Sequence, residues 1–146
     1  MITSNLYVPD ASVILKWVLD TPDEEDRSVA LSLLNSWAAG ECEFILPSLW
    51  IYEVGNIIGR NIPDRAVEFM ELLIDYRITE EPINAVIAGR TLSIMIDCGV
   101  TFYDAVYHAI ALERRGTLVT ADGAYLKKAG RLGNAVLLAD IGANST

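Results

Sequence analysis

Asp10, Glu53, Asp104 and Asp122 each stand where a short apolar strand hands over to a helix, or inside the helix that follows. In a parallel α/β sheet such positions gather at one edge, the carboxyl ends of the strands, where these folds place their ligands. Carboxylates gathered there repel one another: at an effective dielectric of about 20, two of them about 5 Å apart do so by roughly 3 kcal/mol. The group is tolerable if it is protonated, spread out, or neutralised by a cation. A donor set made only of oxygens selects a hard divalent ion, Mg²⁺ or Mn²⁺.

Most of these acids also have a plainer explanation. Asp10 before Ala11-Ser12-Val13 and Asp122 before Gly123-Ala124-Tyr125 occupy ordinary N-cap positions. Asp104 follows Thr101 in the T-x-x-D spacing of a capping box. Glu53 resists that account, because it lies inside its helix with Leu49, Trp50 and Ile57 as its i−4, i−3 and i+4 neighbours. A carboxylate on an apolar stripe is expensive to desolvate unless it is paired or metal-bound. The pairing alternative is a buried basic residue, with Lys16 as the candidate. Ser12 and Thr120, each two residues from an acid, either orient the carboxylates or cap helices locally, and Asn56 is placed to hydrogen-bond behind Glu53. His108, one turn after Asp104, is assigned to packing or solvent. The tryptophans and Tyr7, Tyr52, Tyr103 and Tyr107 fall on helical stripes or in strands and are assigned to the core instead of to base stacking.

The elements that must position these acids alternate along the chain. Leu6-Tyr7-Val8 reads as a strand ended by Pro9-Asp10, followed by a helix from Ala11 to Leu19. Ala30, Leu31, Leu34, Trp37 and Ala38 give helical spacing from about Asp23 to Ala39, closed by Gly40. Glu43 to Leu46 is a second strand, and Pro47-Ser48 opens a helix that runs to about Arg60. Pro63 starts another, to about Tyr76, and Arg77 to Glu80 is a weakly signalled strand before a helix from Ile83 to Asp97. From Thr101, residues Tyr103, Val106, Tyr107, Ile110 and Ala111 carry the i, i+3, i+4, i+7, i+8 pattern up to Gly116. Thr117 to Thr120 is a strand that delivers Asp122, a short helix runs through Lys128, and Ala135 to Leu138 is the last strand. Strands alternating with helices imply an α/β fold with a mainly parallel sheet of four to five strands.

A chain of 146 residues is read as one domain, residues 1–146, able to form its core without disulfides or structural metal. Cys42 and Cys98 lie in no CxxC pair and are read as reduced and buried. Hydrophobic residues make up 52% and the mean hydropathy is +0.32, so some apolar surface is expected to be covered by a partner, most simply a second copy. No apolar run reaches the roughly 18 residues of a membrane span, and the start lacks the basic and apolar regions of a signal peptide, so the expected location is the cytoplasm. The net charge of −9 argues against holding nucleic acid mainly through phosphate neutralisation. Part of it is the run Asp20, Asp23, Glu24, Glu25 and Asp26, read as a solvated helix start. Lys127, Lys128 and Arg131, just past Asp122, form a small basic group suited to a phosphate backbone.

The segments VPDASVILKWVL, LPSLWIYEVGNII, TFYDAVYHAIALERRG and TLVTADGAYLKKA each carry one of the four acids. In this order and spacing they resemble the PIN domain, specifically the VapC-type toxins of prokaryotic toxin–antitoxin pairs, over nearly the whole chain. The resemblance implies a three-layer α/β/α sandwich around a parallel sheet, an Mg²⁺- or Mn²⁺-dependent ribonuclease, a homodimer, and inhibition by a cognate antitoxin. By the same likeness Asp10, Glu53, Asp104 and Asp122 are the metal-binding acids. Other readings are a phosphohydrolase, although Asp10-Ala11-Ser12 lacks the D-x-D of aspartyl-phosphate enzymes; a receiver-like scaffold, although paired acids after the first strand are missing; and a catalytically weak PIN-like module kept for protein binding or dimerisation.

Overall fold

The computed structural model describes residues 5–20 and 26–144. Its elements are β1 (Leu6–Pro9), α1 (Ala11–Val18), α2 (Arg27–Ala38), β2 (Glu43–Pro47), α3 (Trp50–Asn61), a 3₁₀ turn (Pro63–Arg65), α4 (Ala66–Asp75), β3 (Thr79–Glu81), α5 (Ala85–Cys98), α6 (Phe102–Arg114), β4 (Thr117–Thr120), α7 (Gly123–Ala129), a second 3₁₀ turn (Gly130–Leu132), β5 (Ala135–Leu137) and α8 (Leu138–Asn144). The five strands form one parallel sheet in the order β3-β2-β1-β4-β5. Helices flank it, giving the expected three-layer α/β/α sandwich.

Strand order decides where ligands can bind. After β1 the chain builds outward through β2 and β3, then returns to place β4 on the other side of β1. The connections leave β1 and β4 in opposite directions, and the crevice outside their carboxyl ends is the switch point of such sheets. The register sets Pro9 opposite Val119, and the Asp10 N–H donates to the Val119 carbonyl at 3.0 Å. Asp10 and Thr120 thus become neighbours across that crevice.

The core between sheet and helices is aliphatic, with Val8, Ile14, Leu46, Val54, Ile58, Ile110 and Leu118 essentially inaccessible. One side is closed by an aromatic stack. Phe44 lies between Trp17 and Trp37, with ring centroids 5.7 and 5.6 Å away and planes within 12°, and Tyr76 meets both tryptophans edge-on. At the start of β4, Gly116 lets two backbones meet: a Cβ there would stand 2.9 Å from the Leu6 carbonyl oxygen.

Several sequence expectations shift. Pro47 is the last residue of β2 and does not open a helix; α3 begins at Trp50, after a turn in which Ser48 N–H reaches the Glu81 carbonyl. The last strand stops at Leu137, and Leu138, read as its final residue, starts α8, a helix the sequence reading does not include. The left-handed turn after α2 is carried by Gly40, one residue beyond the Ala39 cap, while Asp23, Glu24 and Glu25 lie outside the described residues. Cys42 is buried as expected but Cys98 is only half-buried; both thiols are free. Among the described residues no single helix is long and apolar enough to cross a membrane.

Candidate metal centre and nuclease site

Asp10 ends β1 and caps α1. Its Oδ1 accepts from the N–H groups of Ser12 (3.0 Å) and Val13 (3.4 Å) and from the Ser12 hydroxyl (2.5 Å). Ser12 Oγ in turn accepts from Ala121 N–H at 2.9 Å and lies 3.4 Å from Thr120 Oγ1, which accepts from Asp122 N–H at 3.0 Å. Two hydroxyls therefore bind the turn after β1 to the turn after β4. Asp122 caps α7, its Oδ1 accepting from Ala124 and Tyr125 N–H at 3.0 and 3.2 Å. Both acids are N-caps, as their positions suggested, and both also face the same crevice.

Glu53 lies in the first turn of α3, half-buried. Its partner is a phenol: Tyr107 Oη donates to Glu53 Oε1 at 2.8 Å. In place of the alternative pair with Lys16, α6, which packs on β1, β2 and β4, brings the Tyr107 hydroxyl to Glu53. Asp104 opens α6 one turn earlier, and its N–H reaches Thr101 Oγ1 at 3.2 Å.

These four acids line one cleft of about 200 Å³ with Ser12, Leu15, Ile57 and Tyr107. Burial is the main cause of a raised pKa for three of them. Asp10 is pushed up to about 6 by burial, against the Ser12 and Thr120 hydroxyls and Val13 N–H, which pull it down. Burial and the neighbouring Asp104 raise Glu53, with Tyr107 opposing, and burial and Asp122 raise Asp104. The all-oxygen donor set and the mutual repulsion fit a hard divalent ion. Among the described residues, no three carboxylate, imidazole or thiol groups are already closed around one point that an ion could occupy. Each of Asp10, Glu53 and Asp122 has instead turned one oxygen to a protein donor.

Asn56 is exposed on the rim of an adjoining cleft and makes no hydrogen bond to the acids, whereas the Ser12 and Thr120 hydroxyls bond to the turns that carry Asp10 and Asp122. Of the basic trio, Lys128 lines a cleft with Asp104 and Asp122. Lys127 is exposed and lines none of these clefts. Arg131 donates to the Lys128 carbonyl at 2.8 Å and, at 3.4 Å, to that of Asp97. His108 is fully buried, with Nε2 donating to the Gly133 carbonyl and Nδ1 accepting from Tyr125 Oη, both at 2.8 Å; burial lowers its pKa, so it packs as a neutral imidazole. Trp17, Trp50 and Tyr107 are core residues as expected, but Tyr52 and Tyr103 are not: they are 79% and 60% exposed. Tyr107 was missed as a site residue because its place on the apolar stripe of α6 hides its hydroxyl; its position three residues after Asp104 was the available signal.

A parallel sheet with acids converging at its switch point defines an α/β domain whose ligand site lies at the carboxyl ends of its central strands. The chain belongs to the PIN domain family, whose model matches residues 7–132. PIN domains are generally nucleases and usually use divalent metal ions. Comparison with curated proteins gives no match. Among solved structures, PAE2754 from Pyrobaculum aerophilum superposes with a TM-score of 0.64 at 19% identity over 94% of this chain and 92% of its own. A chain of a toxin–antitoxin complex from Klebsiella pneumoniae gives 0.65 at 16% identity, over 92% and 98%. VapC20 from Mycobacterium tuberculosis, a Sarcin-Ricin loop cleaving toxin, gives 0.63 at 14% identity, over 89% and 96%. At these identities the likeness is one of fold.

Proposed function

We propose that this chain is a metal-dependent endoribonuclease that hydrolyses RNA phosphodiester bonds as the toxin of a type II toxin–antitoxin pair. The observation that carries the reading is the meeting of Asp10, Glu53, Asp104 and Asp122 in one cleft at the sheet's switch point. The solved toxins of the same fold supply the biological context.

In this reading Asp10, Asp104 and Asp122 hold Mg²⁺ or Mn²⁺, and Glu53 completes the set or orients the attacking water. When bound, the cation supplies positive charge to the phosphodiester oxygens and to the attacking water. Ser12 and Thr120 hold the Asp10 and Asp122 turns at fixed separation, and Tyr107 fixes the rotamer of Glu53. Lys128 stands at the rim with the acids, and Lys127 and Arg131 extend the basic edge for the RNA backbone. Residues 1–146 act as one domain in the cytoplasm, as a homodimer, under control of a cognate antitoxin.

The test is cleavage of single-stranded and structured RNA with Mn²⁺ by the wild type, Asp10→Asn and Glu53→Gln. Activity in the wild type with loss in both variants supports the reading; equal activity in all three, or none in any, sinks it. A second reading follows from the open arrangement of the acids: a catalytically weak PIN module used for protein binding. Calorimetric titration with Mn²⁺ separates the two, because only the nuclease needs the site to close on an ion.

A further inference from the structure

Tyr52 stands in the first turn of α3 and Tyr103 in the first turn of α6. Both line one cleft of about 530 Å³ with Glu53, Asn56, Thr101 and Asp104. Glu53 and Asp104 also line the acid cleft, so the two spaces share a wall. Among the described residues neither ring pairs with another aromatic ring or lies beneath an arginine, and Tyr52 and Tyr103 are 79% and 60% exposed. The backbones beneath them are anchored by buried Trp50 and Val54 on α3 and by Ala105 and Val106 on α6.

An RNA ligand must be held against a net charge of −9, and among the described residues Lys128 is the one basic residue lining these clefts. Phosphate neutralisation is therefore scarce as a source of affinity. Stacking is not: unpaired bases stack on aromatic side chains irrespective of charge, and each such contact is worth a substantial share of single-strand affinity. The lining mixes apolar faces with a few polar groups, as a nucleobase with a flat apolar face and hydrogen-bonding edges requires. Tyr52 also borders an adjoining apolar groove of Leu49, Ile83, Ile87, Phe102 and Val106, which suits an apolar protein segment, whereas the cleft it shares with Tyr103 adds carboxylates, an amide and a hydroxyl for base edges.

We propose that Tyr52 and Tyr103 form a nucleobase-stacking subsite that seats single-stranded RNA beside the acid cleft, so that this acidic chain holds its substrate more by stacking than by phosphate contact. The inference rests on the ribonuclease reading. It goes beyond that reading in naming how the strand is gripped.

The experiment compares the wild type with Tyr52→Leu, Tyr103→Leu, Tyr52→Phe and Tyr103→Phe, since leucine keeps apolar area and loses the π face while phenylalanine keeps both. The probe is a single-stranded oligoribonucleotide of about 12 nucleotides carrying 2-aminopurine. Each leucine variant is expected to raise KM by about 5- to 100-fold with little change in kcat, and to lose the 2-aminopurine quenching seen on binding with Ca²⁺. Phenylalanine variants retain both, and Mn²⁺ affinity measured by calorimetry is unchanged throughout. Affinity should fall with salt with a log–log slope no steeper than about −2, as for three phosphate contacts or fewer. Leucine variants whose KM stays at the wild-type value overturn the proposal, as do variants that change only the elution volume of the protein, which would make this face an interface with another chain. A wild type that neither binds Mn²⁺ nor cleaves RNA removes the nuclease reading itself and this inference with it, a failure visible before any tyrosine is altered.

Discussion

Tyr107 Oη donates to Glu53 Oε1 at 2.8 Å, so the acid that lies inside a helix is held by a buried phenol from a helix far away in sequence. Without that donor Glu53 would share the cleft with Asp104 and nothing to oppose its burial. Tyr107→Phe leaves the ring volume intact and removes one hydrogen bond to a carboxyl group. The expected cost is about 1.5–3 kcal/mol in urea unfolding, where charged partners fall. Mn²⁺-dependent cleavage should drop in the same variant and Mn²⁺ affinity weaken. Tyr107→Phe combined with Glu53→Gln should show no further loss of Mn²⁺ affinity over Glu53→Gln alone, as expected of a residue that acts through another.

Asp10 sets a pH dependence with a definite sign. Its folded pKa, about 6, lies above its ordinary 3.8, so the folded state binds the proton more tightly. Stability from this group is fully present below the ordinary value and is lost as pH rises through about 6. The shift corresponds to about 3 kcal/mol between those limits. Melting in EDTA across this range should show the decline, and Asp10→Asn should flatten it and be more stable than the wild type at pH 7.5 while losing cleavage.

Removal of divalent ion should matter most where the acids are ionised. Mn²⁺ is expected to raise Tm more at pH 7.5 than at pH 5, because ligand binding to the folded state alone stabilises it in proportion to affinity, and protons compete for the same oxygens. Equal stabilisation at both pH values, measured by differential scanning fluorimetry, would place the ion elsewhere.

Glu81 works in the opposite direction. It is paired with the Arg114 guanidinium through two contacts, and the hydrogen bonds hold its carboxyl below the ordinary value. This contribution is present above the ordinary pKa and lost as pH falls through the depressed one. Arg114 is half exposed, so screening limits the pair. Glu81→Gln should cost about 1 kcal/mol at pH 7 and less in high salt, with Mn²⁺ affinity untouched.

Gly116→Ala tests the fold apart from the site. The added carbon would meet the Leu6 carbonyl oxygen at 2.9 Å and Leu6 Cγ at 3.0 Å, and a β1 backbone paired on both sides cannot easily yield. A destabilisation of about 1–3 kcal/mol is expected, the usual cost of overpacking, with Mn²⁺ affinity per folded molecule preserved.

The sequence by itself determined the alternation of strands and helices, because apolar periodicity and helix caps are local. It also marked the acids, since Asp10 and Asp122 cap the helices that leave β1 and β4. Pro47 reads as a helix start because proline serves a strand end and a helix start equally well, and Leu138 reads as strand because Leu137 and Leu138 look alike on either side of a boundary. Tertiary structure alone decided what lies beside what. The switch of strand order between β1 and β4 made Ser12 and Thr120 neighbours, and the tertiary placement of α6 gave Glu53 its phenol. It also decided that Tyr107 is buried while Tyr103, on the same helix stripe, stays in solvent: periodicity specifies a face, but only the packed neighbours determine how far along the helix that face is covered.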